Sequence, residues 1–520
     1  MYVKKQTHAY WHKIGKLANR GLQLIESTDR KPMVLDNKLQ SVQTKPDIIQ
    51  IAIAISIFAA FLYIIFSTFG IASLISVLFA GGLVFYQIMD WKSPKSIHSH
   101  SSNRLSTYTI TMIAMPFVIA TAIAYDGYVN WQSIAKGILV WGMTFSFWYS
   151  LLFVPLAIRS KHRESILPEP TIYPSMSILM PAYNEEKVIG RSIESLVHAD
   201  YPDKEIIVID DGSGDRTLEI ANKYKPQIKI LHKEHGGKAS ALNYGLVFAR
   251  GEIIVIVDAD TIIGNNALRM ITKEFSRDEV VAVAGNVKIK NLVNLLTWCQ
   301  ALEYLTSIQI MRRGLDYFGA IGIVPGALGA FRRKALRQVG EYTNDTLVED
   351  FDTTVKVLKS GFVIQGSNDA VAYTQVPQTL KNFCRQRKRW YRGNLQNVIK
   401  HRDVLTNPRF GFLHKITYPL MIIQMLVVPF TGFLVWAFAA INIMQGEGPF
   451  VLSLATFFII IQYLLTALSV RVQGDDKKII AYSIFALIGY KQIVDFLSIK
   501  AVLEEVFKRK ASWTSAERVR

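Results

Sequence analysis

Long apolar segments at both ends of the chain enclose a charged middle, an order that neither a soluble globule nor an all-membrane bundle accommodates. Four of them, 48–67, 70–89, 107–125 and 133–157, precede the middle, each near the ~20 residues that cross a hydrocarbon core. Loop charge sets their direction. The 67–70 link is uncharged and 126–136 nearly balanced, whereas Lys92, Lys95 and Arg104 in one loop and Arg159, Lys161 and Arg163 at the exit are basic. Four crossings with this bias put everything after Arg159 in the cytoplasm, as expected of a multi-pass protein of the cell membrane. Behind the middle lie 412–443, 449–470 and a weaker 479–498. The first is longer than one crossing needs and contains Pro419 and Pro429, so an interfacial portion and an extra span are both compatible with it. The last carries Lys491 and Asp495 at a four-residue spacing that lets them pair. If it crosses, Lys508, Arg509 and Lys510 land outside against the charge bias, so a cytoplasmic C-terminus is expected.

Half of the 520 residues are hydrophobic and the net charge is +18. The basic residues gather beside the apolar spans, which points to anionic lipid of the bilayer surface rather than to nucleic acid. Residues 1–46 hold nine Lys/Arg against three acids, and no apolar run begins before Asp47, a position that argues against a cleavable secretory signal. Trp11, Ile14, Ala18, Leu22 and Ile25 recur at helical spacing there; a helix lying on the membrane and a partly disordered basic tail both fit. Cys299 and Cys384 form neither a disulfide framework nor a zinc spacing. The expected organisation is a basic segment 1–46, four membrane helices in 47–160, an α/β domain in 170–400, membrane or interfacial helices in 410–500 and a basic tail 501–520.

Within the α/β region, short β-rich runs alternate with helical stretches, as in a doubly wound fold. Strands are expected at 177–180, 205–209, 228–231 and 253–257. The run Glu252 to Asp260 is the most telling: five branched apolar residues read as a strand buried on both faces, and it ends in Asp258 and Asp260. Ligands of open α/β sheets bind at such carboxyl ends, and two acids there invite a hard divalent cation. Two nucleotide fingerprints fail. Gly237-Lys238 lacks the remaining residues of a P-loop, and Gly212-Ser213-Gly214 lacks the third glycine of a dinucleotide site.

Further acids and a basic aromatic cluster complete a set: Asp210-Asp211-Gly212-Ser213 ending the second strand, Val348-Glu349-Asp350 opening a later helix, and Gln386-Arg387-Lys388-Arg389-Trp390. With Pro181 to Glu186 and His235-Gly236-Gly237-Lys238, in this order, they resemble the family-two glycosyltransferases of GT-A fold. They are most similar to the membrane-embedded processive synthases of cellulose, chitin, hyaluronan and poly-N-acetylglucosamine. The resemblance covers about 175–394. It implies a GT-A catalytic domain inserted between membrane helices and an inverting transfer from a UDP-sugar to a polysaccharide, coupled to export through those helices. It assigns Mg²⁺ or Mn²⁺ to Asp258 and Asp260, and the donor to Asp210, Asp211, Lys238, Asp258, Asp260 and Arg389. Asp350 is implied as the general base that deprotonates the acceptor hydroxyl. Gln386, Trp390 and Glu349 are implied on the acceptor side, although a tryptophan of the membrane interface also fits Trp390. A lipid-facing role is equally compatible with the rest of the 387–392 basic cluster, and Pro325 to Ala330 is similar to the family's acceptor-side loop. Val348 stands where the family often has Thr, and the number of leading spans exceeds that of hyaluronan and poly-N-acetylglucosamine synthases. Transfer of one sugar to a glycolipid acceptor is the alternative on the same fold; an inert sugar-binding domain on a transporter is the alternative from another class.

Overall fold

The computed structural model describes residues 107–507. The expectations for 1–46, for the first two apolar segments and for the 508–520 tail therefore lie outside the described residues.

The central element is a sheet of eight strands in the order β3-β2-β1-β4-β7-β6-β8-β5. Strands β1 (Met176–Ala182), β2 (Lys204–Asp210), β3 (Lys229–His232) and β4 (Ile253–Ile256) are the four expected from sequence, and they pair in parallel. Branched residues on both faces of a pleated ribbon explain them. Ile178, Ile206, Val208 and Val255 enter one core, and their alternates Leu179, Ile207, Ile209 and Ile254 enter the other. The second half differs from a purely parallel doubly wound sheet. Strand β7 (Gly329–Arg332) runs antiparallel to both β4 and β6 (Val280–Ile289), and β5 (Ile262–Ile263) antiparallel to β8 (Val363–Thr374). No local periodicity marks β7, because Gly329 and Ala330 supply little apolar pattern and its place depends on closing the gap between β4 and β6.

Strand order reverses between β1 and β4, so the loops after β1, β2 and β4 open onto one crevice at their carboxyl ends. Helices α1 (Thr107–Trp131) and α2 (Ile134–Ser165) coincide with the third and fourth apolar segments, and α2 continues past the expected boundary at 160. Its carboxyl end is locked into the domain. Arg163 bonds Glu274 at 2.7 Å and Asp316 at 3.0 Å, and Glu164 accepts the backbone N–H groups of Asn368 at 2.6 Å and Asp369 at 3.1 Å. Arg163, read from sequence as a loop cation, is thus an internal counter-ion.

Helices around the crevice are α3 (Ile189–Val197), α4 (Lys238–Phe248), α5 (Leu295–Glu303), α6 (Ile310–Asp316), α7 (Glu349–Lys359) and α8 (Leu380–Lys400). A π-helical turn, Tyr304–Gln309, joins α5 to α6. Among the described residues two helices are long and apolar enough to cross a membrane: α9 (Leu413–Met444) and α10 (Gly448–Gln473). Helix α9 passes through both prolines unbroken. The wide turns Leu413–Thr417 and Ile423–Val427 come just before Pro419 and Pro429, where a missing N–H would otherwise interrupt an α-helix. The region of 412–443 is therefore one helix, about 48 Å long at 1.5 Å per residue. The weak third stretch is a helical pair, Lys477–Ala486 and α11 (Tyr490–Val506), bent by 59°. Lys491 and Asp495 pair on α11, as their spacing anticipates.

Candidate active site

Asp210, the last residue of β2, and Asp211 after it are buried; the Asp210 Oδ1 has no hydrogen-bond partner, whereas both Asp211 oxygens are engaged. His232 Nδ1 lies 2.7 Å from Asp210. Asp211 accepts from Lys233 Nζ at 2.8 Å and from the backbone N–H groups of Gly236 at 3.1 Å and Gly237 at 2.8 Å, with His235 Nδ1 at 2.9 Å. One carboxylate thereby fixes the loop that launches α4. Gly212 (φ 75°) and Gly237 (φ 85°) supply the left-handed turns this requires, and a Cβ on Gly212 would stand 2.8 Å from the His235 nitrogen. The Tyr183 ring stacks on His235 at 4.1 Å beside them.

The loop delivers Lys238, first residue of α4, into the crevice. Its ammonium sits 2.6 Å from Asp258 Oδ1 and 3.0 Å from Glu349 Oε1. Burial works against this charge, but Asp258, Glu349 and Asp350 outweigh it and hold the ammonium protonated beyond the usual lysine range. Glu349 and Asp350 open α7 as expected, after Val348 as N-cap. Carboxylates suit that end of a helix. Burial and the neighbouring Glu349 push the Asp350 carboxyl up to about 6, with Lys238 opposing. Its Oδ1 accepts the Phe351 N–H at 2.8 Å. A small cavity beside it is lined by Pro325, Gly326, Tyr342, Glu349 and Asp350 among others. A Cβ on Gly326 would lie 2.4 Å from Lys238 Nζ and 3.3 Å from Asp258 Oδ1, so the loop's small residue makes room for the lysine and Asp258.

Asp258 already holds a cation in the form of the lysine ammonium, and Asp260 follows two residues on. Hard carboxylate oxygens of this kind fit Mg²⁺ or Mn²⁺. Among the described residues no three His, Cys, Asp or Glu side chains converge as a metal cage. An ion here would complete its shell from a diphosphate and water, the usual manner for Mg²⁺.

On α8, Gln386, Arg389 and Trp390 share one face by helical spacing. The Gln386 Oε1 is buried with no hydrogen-bond partner, and the Trp390 ring lies 6.4 Å from that of Tyr304. The other members of the cluster are taken up by carboxylates. Arg387 is buried against Glu303, Lys388 pairs with Glu504 at 2.7 Å and Arg392 with Glu505 at 2.9 Å. The lipid-facing reading of these three is corrected: their partners are carboxylates of α5 and α11, which no local pattern announces.

Arg312 was not singled out by sequence. Its Nη1 donates to the Gly285 carbonyl at 3.2 Å, where a register shift takes Gly285 out of the β6–β8 ladder. Burial lowers its guanidinium to about 10, with Asp350 and Tyr304 the charges that oppose this. The one available signal was a second arginine beside Arg313 on an otherwise apolar helical stretch, indistinguishable there from a solvated basic pair.

Residues 177–340 match the family described as Glycosyl transferase family 2. A poly-beta-1,6-N-acetyl-D-glucosamine synthase of Staphylococcus epidermidis is 31% identical over 249 residues, 47% of this chain and 58% of that protein. The synthase of the same name from Staphylococcus aureus (strain COL) is 30% identical over 253 residues, 48% of this chain and 60% of that one. The match thus spans less than two thirds of these relatives. Among solved structures, a mannosyltransferase from Pyrobaculum calidifontis in complex with GDP-Man and Mn²⁺ superposes with a TM-score of 0.53, at 22% identity, over 72% of this chain and all of that one. That likeness carries the fold, a GT-A-like mixed sheet. Sheet and motif order thus meet in residues 177–340, the part of the chain that is similar to Glycosyl transferase family 2, and the relatives it matches over about half of its length are named poly-beta-1,6-N-acetyl-D-glucosamine synthases.

Proposed function

We propose that the chain transfers a sugar, with inversion, from a UDP-sugar to a growing polysaccharide, at a catalytic domain on the cytoplasmic face of the cell membrane. The observation that carries this reading is the cluster Lys238–Asp258–Glu349–Asp350 at the carboxyl ends of the strands, with Asp350 held near 6. A base of that value is ionised at neutral pH yet basic enough to take a proton from an attacking hydroxyl.

In this reading Asp210 and Asp211 shape the base end of the donor pocket through the loop they hold, and Asp211 would accept a hydrogen bond from the uracil ring. Lys238 leaves Asp258 for the diphosphate, and Arg389 offers it a planar fork of donors. Asp258 and Asp260 would hold Mg²⁺ or Mn²⁺, which supplies Lewis-acid stabilisation of the leaving diphosphate. Asp350 receives the acceptor proton, Trp390 stacks on the acceptor sugar, and Gln386 and Glu349 bond its hydroxyls. Single displacement needs no covalent intermediate. The similarity to polysaccharide synthases supports repeated addition, with passage of the product beside α9 and α10. The name of those relatives makes UDP-N-acetylglucosamine the first donor to try.

Membranes containing the chain should convert a labelled UDP-sugar from a donor panel into polymer, dependent on Mg²⁺ or Mn²⁺. Asp350→Asn should abolish the polymer; full activity in that variant would remove Asp350 as the base. A single-sugar lipid product on a sizing gel would instead identify a non-processive glycolipid transferase.

A further inference from the structure

The largest fully buried side chain among the described residues is a charged one, Arg387, with 0% exposure. Its Nη2 donates to Glu303 Oε2 at 2.6 Å, and the Tyr490 hydroxyl donates to the same oxygen. Its guanidinium carbon stands 4.3 Å from the Trp390 ring centre and 5.1 Å from that of Phe383. The Phe383 and Tyr490 rings lie 5.5 Å apart, which closes the group. Nε and Nη1 have no hydrogen-bond partner. The guanidinium thus lies over two aromatic rings with one hydrogen-bonded nitrogen.

A buried ion pair of this kind contributes little net stability over an apolar replacement, so its presence calls for another account. The geometry provides one. A planar cation on a ring face orients both partners, and here one of the rings is Trp390. Glu303 fixes the cation from the end of α5, immediately before Tyr304, whose ring lies 6.4 Å from that of Trp390. Tyr490 fixes Glu303 from the first residue of α11, directly after the left-handed Gly489 (φ 85°) at the 59° bend.

We infer that Glu303 and Arg387 are positioning residues that set the Trp390 indole for the acceptor sugar, and that Tyr490 ties this setting to the start of the last helix. The inference rests on the proposed acceptor role of Trp390. It adds a specific dependence: displacement at the 477–506 bend reaches the acceptor site through two hydrogen bonds to one carboxylate oxygen.

The test uses the full-length protein in lipid nanodiscs, with UDP-N-acetylglucosamine as donor and an N-acetylglucosamine pentasaccharide as acceptor. Glu303→Gln keeps the side-chain shape but removes the charge that holds Arg387. It should raise the acceptor KM about tenfold, leave the donor KM within about twofold, and increase nucleotide released by hydrolysis per sugar transferred. Glu303→Asp should recover part of the loss. Tyr490→Phe removes one oxygen and no ring, so it retains the packing even where Glu303→Gln folds poorly, and it should raise the acceptor KM by a smaller factor. Unchanged acceptor KM in both Glu303→Gln and Tyr490→Phe would overturn the inference, as would equal effects on donor and acceptor. Trp390→Ala separates the two levels: if it leaves the acceptor KM unchanged, the acceptor reading itself fails. If it raises that KM while Glu303→Gln and Tyr490→Phe do not, only the positioning inference fails.

Discussion

The Asp350 carboxyl provides the sharpest prediction, because its environment moves it into a range that kinetics can read. Burial and Glu349 raise it to about 6, and Lys238 opposes them. The group must lose its proton to act as a base, so raising its pKa withdraws the active form at a higher pH than for an ordinary aspartate. A carboxyl of pKa about 6 is about 90% ionised near pH 7 and about 10% near pH 5, so kcat/KM should fall about tenfold across that interval. An ordinary aspartate, near 3.9, would keep about 90% of its base form at about pH 5 and give an almost flat profile. The assay is initial-rate polymer synthesis at fixed ionic strength with donor well below KM. Lys238→Met supplies the second arm. Its ammonium favours the ionised form of Asp350, so its loss should lower the rate overall and also move the acidic limb to higher pH. A rate that stays level down to about pH 5, or a limb that moves to lower pH in Lys238→Met, would refute the account of how this base is tuned.

Gly326→Ala should reduce activity while circular dichroism stays unchanged, because the new methyl would fall 2.4 Å from the Lys238 ammonium at the site and nowhere in the fold's core. Arg163→Met should cost about 3–5 kcal/mol, read as a lower midpoint in a thermal unfolding scan, since it leaves Glu274 and Asp316 buried without their cation. Chelation should stop synthesis and added Mg²⁺ or Mn²⁺ restore it. Mn²⁺ bound in the presence of UDP, counted by electron paramagnetic resonance, should be lost in Asp258→Asn.

The strands β1 to β4 were readable because branched apolar residues between polar ends specify a buried ribbon locally, and the carboxylates at their ends follow from the same runs. Asp350 at a helix start and the Lys491–Asp495 pair were readable for the same reason, since a turn of helix is a short-range object. What the sequence left open was the choice of partner. Arg387 and Glu303 are 84 residues apart, Arg163 and Asp316 153. A run of basic residues looks alike whether it meets lipid, solvent or a distant carboxylate. Asp211 likewise reads as a donor ligand, but only the folded loop shows its oxygens occupied by the amides that aim Lys238. The amino-acid order alone thus determined strands β1 to β4, their acidic ends and the apolar helices α1, α2, α9 and α10, all set by contacts within a few residues. Only the tertiary structure decided which charges neutralise one another, which strand fills the gap beside β4, and that the charge of Asp350 acts on Arg312, because each of these depends on segments that meet only after the sheet has closed.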